Sequence, residues 1–265
     1  MRKRIKQILA GALCFGLAIS DKSALSLGEI NMDKVTVQAA ENVSDITIDG
    51  NNINKENKNG LTYKGFGLLT ANSTSDLLMD YKAEHPEKYV EMLQYLFGGS
   101  KPLMTHVKIE MGNDRNNSTG AESCTMRTED ETANVKRNAG FQLAADAKKI
   151  NPNIKISILR WNTPKWANTT EKQYKWYKNT IMAAYETYGY MVDYINPNRN
   201  EAWSDKTDTE NVKKFAKWIQ EENSDTIKDA KALDLYKKIK FIVSDEAEMI
   251  AKTAVNALYT DEEYK

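Results

Sequence analysis

The sequence predicts an α/β fold, a (β/α)8 TIM barrel in which about five of the eight βα units are present. Three observations lead there. Short apolar runs alternate with helix-period runs, and no two strand-like runs are consecutive, as an all-parallel sheet requires. Polar loops bearing aromatics follow the second, third and fourth strands. The Gly-rich entry into a first helix that marks a nucleotide-binding open sheet is missing.

Leu61 to Leu69 reads as the first strand, loosened by Gly65 and Gly67. His85-Pro86 opens a helix through Leu96, with Val90, Leu93, Leu96 and Phe97 on one face and Gly98-Gly99 after it. Met104 to Met111 is the second strand, followed by a long polar loop, Gly112 to Asn134, and a helix from about Val135 to Ile150. Ile154 to Trp161 is the third strand, as rich in isoleucine and leucine as a strand buried on both faces should be. A helix from about Glu171 to Tyr188 stops at Gly189. Met191 to Ile195 is the fourth strand, expected to break at Pro197. A helix over Asn211 to Glu222, a fifth strand over Lys240 to Ser244 and a helix over Glu246 to Leu258 complete the series.

Ahead of this domain, taken as residues 61–265, lie two segments. Met1-Arg2-Lys3-Arg4-Ile5-Lys6 is basic, and Ile8 to Ile19 is apolar but short for a membrane span. Residues 1–40 are therefore expected to be a signal peptide and leader, with small residues at Val37-Gln38-Ala39-Ala40 or Ala18-Ile19-Ser20 as cleavage sites. The expected destination is secretion or the cell surface. Residues 41–60 read as an entry segment with a short strand at Ile46-Thr47-Ile48. Past such a leader only Cys124 remains, which leaves no internal disulfide.

Lysine plus arginine (37) equals aspartate plus glutamate (37), which argues against nucleic acid as a partner and for a small or neutral ligand. His85, His106 and Cys124 form no metal-ligand pattern, and neither a metal nor a cofactor is expected. The chemistry is expected at the carboxyl ends of the strands, where barrel active sites sit. There Asn200-Glu201 places a carboxyl group beside an amide. Glu201 suits proton donation to a leaving oxygen, and Asn200 suits holding a neighbouring hydroxyl of a sugar. Trp161 reads equally as an aromatic wall for a sugar face or as a lid on the core, and Trp166 reads as a lid. Glu110 and Asp114 bracket the end of the second strand and could pair with Glu201 as acid and base, but Glu110 alternates with Lys108 along the strand and is rather expected in a structural ion pair.

Several stretches, in order, resemble glycoside hydrolase family 59, the galactocerebrosidases. They are Tyr63-Lys64-Gly65-Phe66-Gly67, Ser75-Asp76-Leu77-Leu78-Met79-Asp80-Tyr81, Val107-Lys108-Ile109-Glu110-Met111-Gly112-Asn113-Asp114, Leu159-Arg160-Trp161, Asn200-Glu201 and Ile242-Val243-Ser244-Asp245. The resemblance implies a retaining β-galactosidase acting on a β-galactoside or glycosphingolipid. It places Glu201 on the proton donor, and Asn200, Trp161 and Ser118 on substrate-binding positions. Ser118 stands for a threonine, Arg160 for a proline, and the segment between Tyr194 and Glu201 is one residue longer than usual. The family's nucleophile is a glutamate ending a seventh strand, so the resemblance implies a fragment that works with a complementing C-terminal part. Another β-glycosidase of the glucanase or glucosylceramidase type shares Asn-Glu at this place. A non-catalytic carbohydrate-binding protein is the alternative of a different class.

Overall fold

The computed structural model describes residues 34–37, 46–49, 64–116, 120–200, 205–243 and 245. The chain divides into two compact units, Met1–Thr62 and Tyr63–Lys265. In the first, β1 (Lys34–Val37) pairs antiparallel with β2 (Ile46–Asp49), Val35 opposite Ile48. The short strand expected at Ile46-Thr47-Ile48 is thus one arm of a two-stranded ribbon.

The second unit is built on a parallel sheet of five strands in sequential order: β3 (Phe66–Thr70), β4 (Met104–Glu110), β5 (Lys155–Arg160), β6 (Tyr194–Arg199) and β7 (Lys240–Phe241). Neighbours in space are neighbours in sequence, the order that a β/α barrel lays down one unit at a time. Among the described residues the barrel is not closed, and β3 and β7 each have one edge without a strand.

Six α-helices are described: α1 (Thr74–Glu84), α2 (Pro86–Phe97), α3 (Ala139–Ile150), α4 (Thr170–Tyr188), α5 (Asp205–Glu221) and α6 (Ala230–Tyr236). Proline fits the first turn of α2, where its missing N–H leaves no bond unmade. The buried face of α2 is Tyr89, Leu93 and Phe97, one residue round from the expected stripe, and Val90 points to solvent. Helix α3 starts later than its pattern suggested. Val135–Arg137 is a separate 3-10 turn, after which the Asn138 side chain accepts from the Gly140 amide and opens the helix. Helix α4 starts at the Thr169 hydroxyl, which accepts from the Lys172 amide, and ends at Gly189, whose φ of 78° only glycine adopts without strain.

Val107 and Ile109 of β4, Ile156 and Ile158 of β5 and Ile195 of β6 share one core with Phe97, Phe141, Trp176, Ile181 and Phe215 of the helices. Each fully buried side chain of this kind contributes on the order of 2 kcal/mol. Gly140 lets α3 approach β3, since a Cβ there would lie 2.2 Å from Thr70 Oγ1. The aromatic side chains of α4 serve packing. Trp176 and Tyr177 are fully buried, and the Tyr174 ring meets Phe215 edge-on at 5.3 Å.

Strand β6 departs from expectation. It does not break at Pro197 but runs through it to Arg199. Register explains how: Ile158 faces Ile195, yet Arg160 faces Arg199, so β6 carries surplus residues against β5. Such a bulge is where a strand tolerates proline, whose nitrogen cannot donate to the ladder. The carbonyls it frees find side-chain donors. Tyr177 Oη donates to Asn196 O at 2.6 Å, and Arg160 Nη2 donates to Pro197 O at 3.1 Å. Arg160 also reaches Gln173 Oε1 at 3.0 Å, so it faces the helices and not the sheet's other side. Burial lowers its pKa, opposed by Tyr177 and Asp208. Replacing Arg160 with methionine leaves the buried Pro197 carbonyl without this donor. The expected cost is about 1–3 kcal/mol, read as a lower denaturation midpoint at unchanged slope.

Candidate active site

Because side chains alternate along a strand, the face opposite the core is lined by a different set. Low on that face, His106 Nε2 and Ser157 Oγ are 2.7 Å apart, and the His106 ring stacks on Tyr194 at 6.0 Å. Burial holds the His106 pKa below its ordinary value. Higher up, toward the carboxyl ends, stand Lys108, Glu110, Trp161, Asn200 and Asp245.

Asn200 follows β6 directly. Its amide N–H donates to Arg160 O at 2.8 Å, which ties the residue to the end of β5. With the side-chain amide oriented so that both ends are satisfied, Asn200 Oδ1 accepts from Trp161 Nε1 at 3.3 Å. Asn200 Nδ2 then donates to Asp245 O at 2.9 Å and to Asp245 Oδ2 at 2.6 Å. Asp245 also forms an ion pair with Lys108, both being about one-quarter exposed. A chain of contacts therefore runs from β4 through the residues after β7 and β6 to the end of β5, Lys108–Asp245–Asn200–Trp161. Asn200 itself is buried, and Trp161 is half-buried.

Two of the expected site residues, Asn200 and Trp161, are thus in contact. The other two, Glu201 and Ser118, lie outside the described residues. The helix expected over Glu246 to Leu258 lies outside them too, as do the basic and apolar stretches of the expected leader. The ion pair expected between Lys108 and Glu110 is replaced by the pair between Lys108 and Asp245. Glu110 is fully buried, and its Oε2 accepts from the Asn72 amide at 2.8 Å. Asp114 accepts from Arg127 Nε and Nη2 at 2.8 and 3.0 Å, and this guanidinium holds its carboxyl below the usual carboxylate range. An acid so held is ionised near neutrality and is a poor proton donor. Trp166 caps the core and donates to Met126 O at 2.9 Å. Cys124 is buried, its thiol pushed up to about 11 by burial, which makes it inert.

Asp245 and Lys108 were not legible as site residues, since nothing local marks a carboxylate that meets a lysine 137 residues away. Among the described residues no group of three or more His, Cys, Asp or Glu could hold a metal ion.

A parallel β/α sheet with an indole, an amide and a charged pair converging at its carboxyl ends has the layout of a glycosidase barrel. Solved structures agree on the fold. The endo-beta1,6-glucanase BT3312 superposes with a TM-score of 0.57 over 77% of this chain and 50% of its own, at 18% identity. SrfJ from Salmonella typhimurium gives 0.56 over 76% and 48%, at 14% identity. The pattern that defines glycosyl hydrolase family 59 matches residues 63–265, and the chain belongs to that family. Galactocerebrosidase of Danio rerio is 31% identical over 157 residues, 56% of this chain and 22% of that protein. The Mus musculus and Homo sapiens galactocerebrosidases are 35% and 34% identical over 141 residues, 51% of this chain and 19% of each. The chain spans about one-fifth of the curated relatives it matches.

Proposed function

We propose that this chain supplies the first five strands of the catalytic barrel of an exported, retaining β-galactosidase whose substrate is a galactosyl lipid. The contact between Asn200 and Trp161 at the carboxyl end of the sheet carries the reading. Family membership and the relatives named galactocerebrosidase support it. In this reading Glu201, the next residue after Asn200, protonates the glycosidic oxygen and later deprotonates the attacking water. The Asn200 amide binds the hydroxyl beside the reacting carbon, the Trp161 indole covers the C–H face of the sugar, and Ser118 binds a further hydroxyl. A retaining mechanism needs a second carboxylate about 5–5.5 Å from the acid. We place it on a strand that closes the free edges of β3 and β7, contributed by a complementing C-terminal part. Export rests on the basic and then apolar order of residues 1–19.

The test is hydrolysis of an aryl β-galactoside by the chain alone and by the chain with a segment supplying the remaining strands. Turnover is expected only in the second mixture. Turnover by the chain alone that Glu201→Gln abolishes would refute the need for complementation. A panel of β-glucosides and β-glucans in the same assay separates a glucanase-type activity. Galactoside binding with no turnover in either mixture would mark a binding protein.

Asp245→Ala removes the carboxylate acceptor of the Asn200 amide and leaves only the backbone carbonyl of residue 245. One lost charged hydrogen bond of about 1.5 kcal/mol predicts roughly tenfold weaker galactose binding. Trp161 fluorescence during titration measures it, and unchanged affinity would show that Asp245 does not orient the amide.

A further inference from the structure

Two buried acids, Glu110 at the carboxyl end of β4 and Glu122 in the loop after it, both meet the turn after β3. The turn after β3 has two successive residues in the left-handed region, Asn72 (φ 54°) and Ser73 (φ 59°), immediately before α1. Glu110 Oε2 accepts from the Asn72 amide at 2.8 Å, and Glu122 Oε2 accepts from the Ser73 amide at 2.9 Å. Adjacent backbone amides at a helix start favour one negative charge, and a second carboxylate beside the first is costly. Both acids are essentially without solvent, at 0% and 1% exposure.

Glu122 Oε1 and Asn72 Oδ1 are buried acceptors with no hydrogen-bond partner. A proton on Glu122 turns its carboxylate from an acceptor-only group into one that can donate, which lowers the cost of burying it. The same two loops interlock elsewhere. Ser73 Oγ donates to Ala121 O, and the Asp114 amide donates to Glu122 O at 3.0 Å. Gly120 and Gly112 approach so closely that a Cβ would lie 2.3 Å from Asn72 O and 2.1 Å from Glu122 O.

We propose that Glu110 and Glu122 carry one proton for the pair, and that this proton fastens the turn after β3 to Ala121 and Glu122 in the chain that follows β4. They act as positioning residues. The charged groups facing Glu122 are Glu110 of β4 and Asp76 of α1, both acidic. Burial, with these two carboxylates adding to it, pushes Glu122 up to about 7. The folded value lies above the unfolded one near 4.5, so the contribution is complete below about 4.5 and is lost as pH rises through about 7.

The experiment is a carboxyl carbon-13 NMR titration of the glutamates in the full chain. Unfolding equilibria and exchange of the Ser73 amide are followed alongside it, from about pH 5 to about pH 8. One glutamate is expected to titrate near neutrality and to vanish from the spectrum of Glu122→Gln. The folding constant should fall by up to roughly tenfold per pH unit between about pH 5 and about pH 7 and level off above it, with faster Ser73 exchange, and Glu122→Gln should flatten both trends. If every glutamate titrates in the ordinary acidic range, the proposal is overturned. It also fails if Glu122→Gln is destabilised equally at all pH values. Should Glu122→Gln not fold, Glu110→Gln provides the second variant. Relieved of its neighbour, Glu122 is then expected to titrate at lower pH, and an unchanged titration overturns the pairing. None of these readouts uses a sugar, so the outcome is independent of the proposed activity.

Discussion

Glu201→Gln is expected to lower turnover of a β-galactoside by roughly 10²–10⁴-fold in the complemented protein, with galactose binding little changed. Glutamine keeps the shape and the hydrogen-bonding reach of the acid but has no proton to give. The loss should depend on the leaving group. A poor leaving group needs protonation to depart, so its galactosylation step should slow most. An activated aryl group departs unaided, and there the slow step becomes hydrolysis of the covalent intermediate, for which the same carboxylate is the base. Azide needs no base, so it should restore turnover of the activated substrate and yield the galactosyl azide. A variant whose turnover stays within a few-fold of the parent for both substrates would remove Glu201 from the mechanism.

Trp176→Ala should be the most destabilising single change to the described core, costing about 3–5 kcal/mol. The indole is fully buried between α4 and the sheet and meets Tyr177 edge-on at 5.8 Å. Its Nε1 donates to Thr125 Oγ1 at 3.1 Å, and that hydroxyl lies 2.7 Å from Thr180 Oγ1. Truncation therefore opens a cavity and leaves a pair of buried hydroxyls short of one partner. Trp176→Phe retains most of the volume and should cost clearly less. Denaturant unfolding measures both. Equal losses would mean that the hydrogen bond, not the packing, is what the indole contributes.

Elements with strong apolar periodicity were legible in the sequence. Strands β4 and β5 stand out because Val107, Ile109, Ile156 and Ile158 mark their buried face, and α4 because Thr169 and Gly189 punctuate it. Helix α1 was missed because it has no apolar stripe to read; Ser75 is its only buried side chain. Helix α6 is seven residues long, with little beyond the Asp229 cap to announce it. Strand β6 was cut short because proline is a strand breaker in general. Only the pairing with β5 reveals a bulge that accommodates it. Trp161 and Asn200 were singled out by the order of motifs along the chain, and the structure brings them into contact. Asp245 was not, because its partners Lys108 and Asn200 meet it only once the sheet is assembled. Glu122 went unremarked for a related reason. An acid in a polar loop looks solvated until burial by the turn after β3 is seen.

The surplus residues of β6 give this rung of the sheet some slack. Lengthening or shortening Asn196–Asn198 by one residue changes how far that loop of backbone bows toward Tyr177 and Arg160. Ile195 at one end and Asn200 at the other remain fastened to β5. Indel libraries aimed at these three positions should therefore give folded proteins far more often than the same libraries aimed at β5, whose residues have no such spare length.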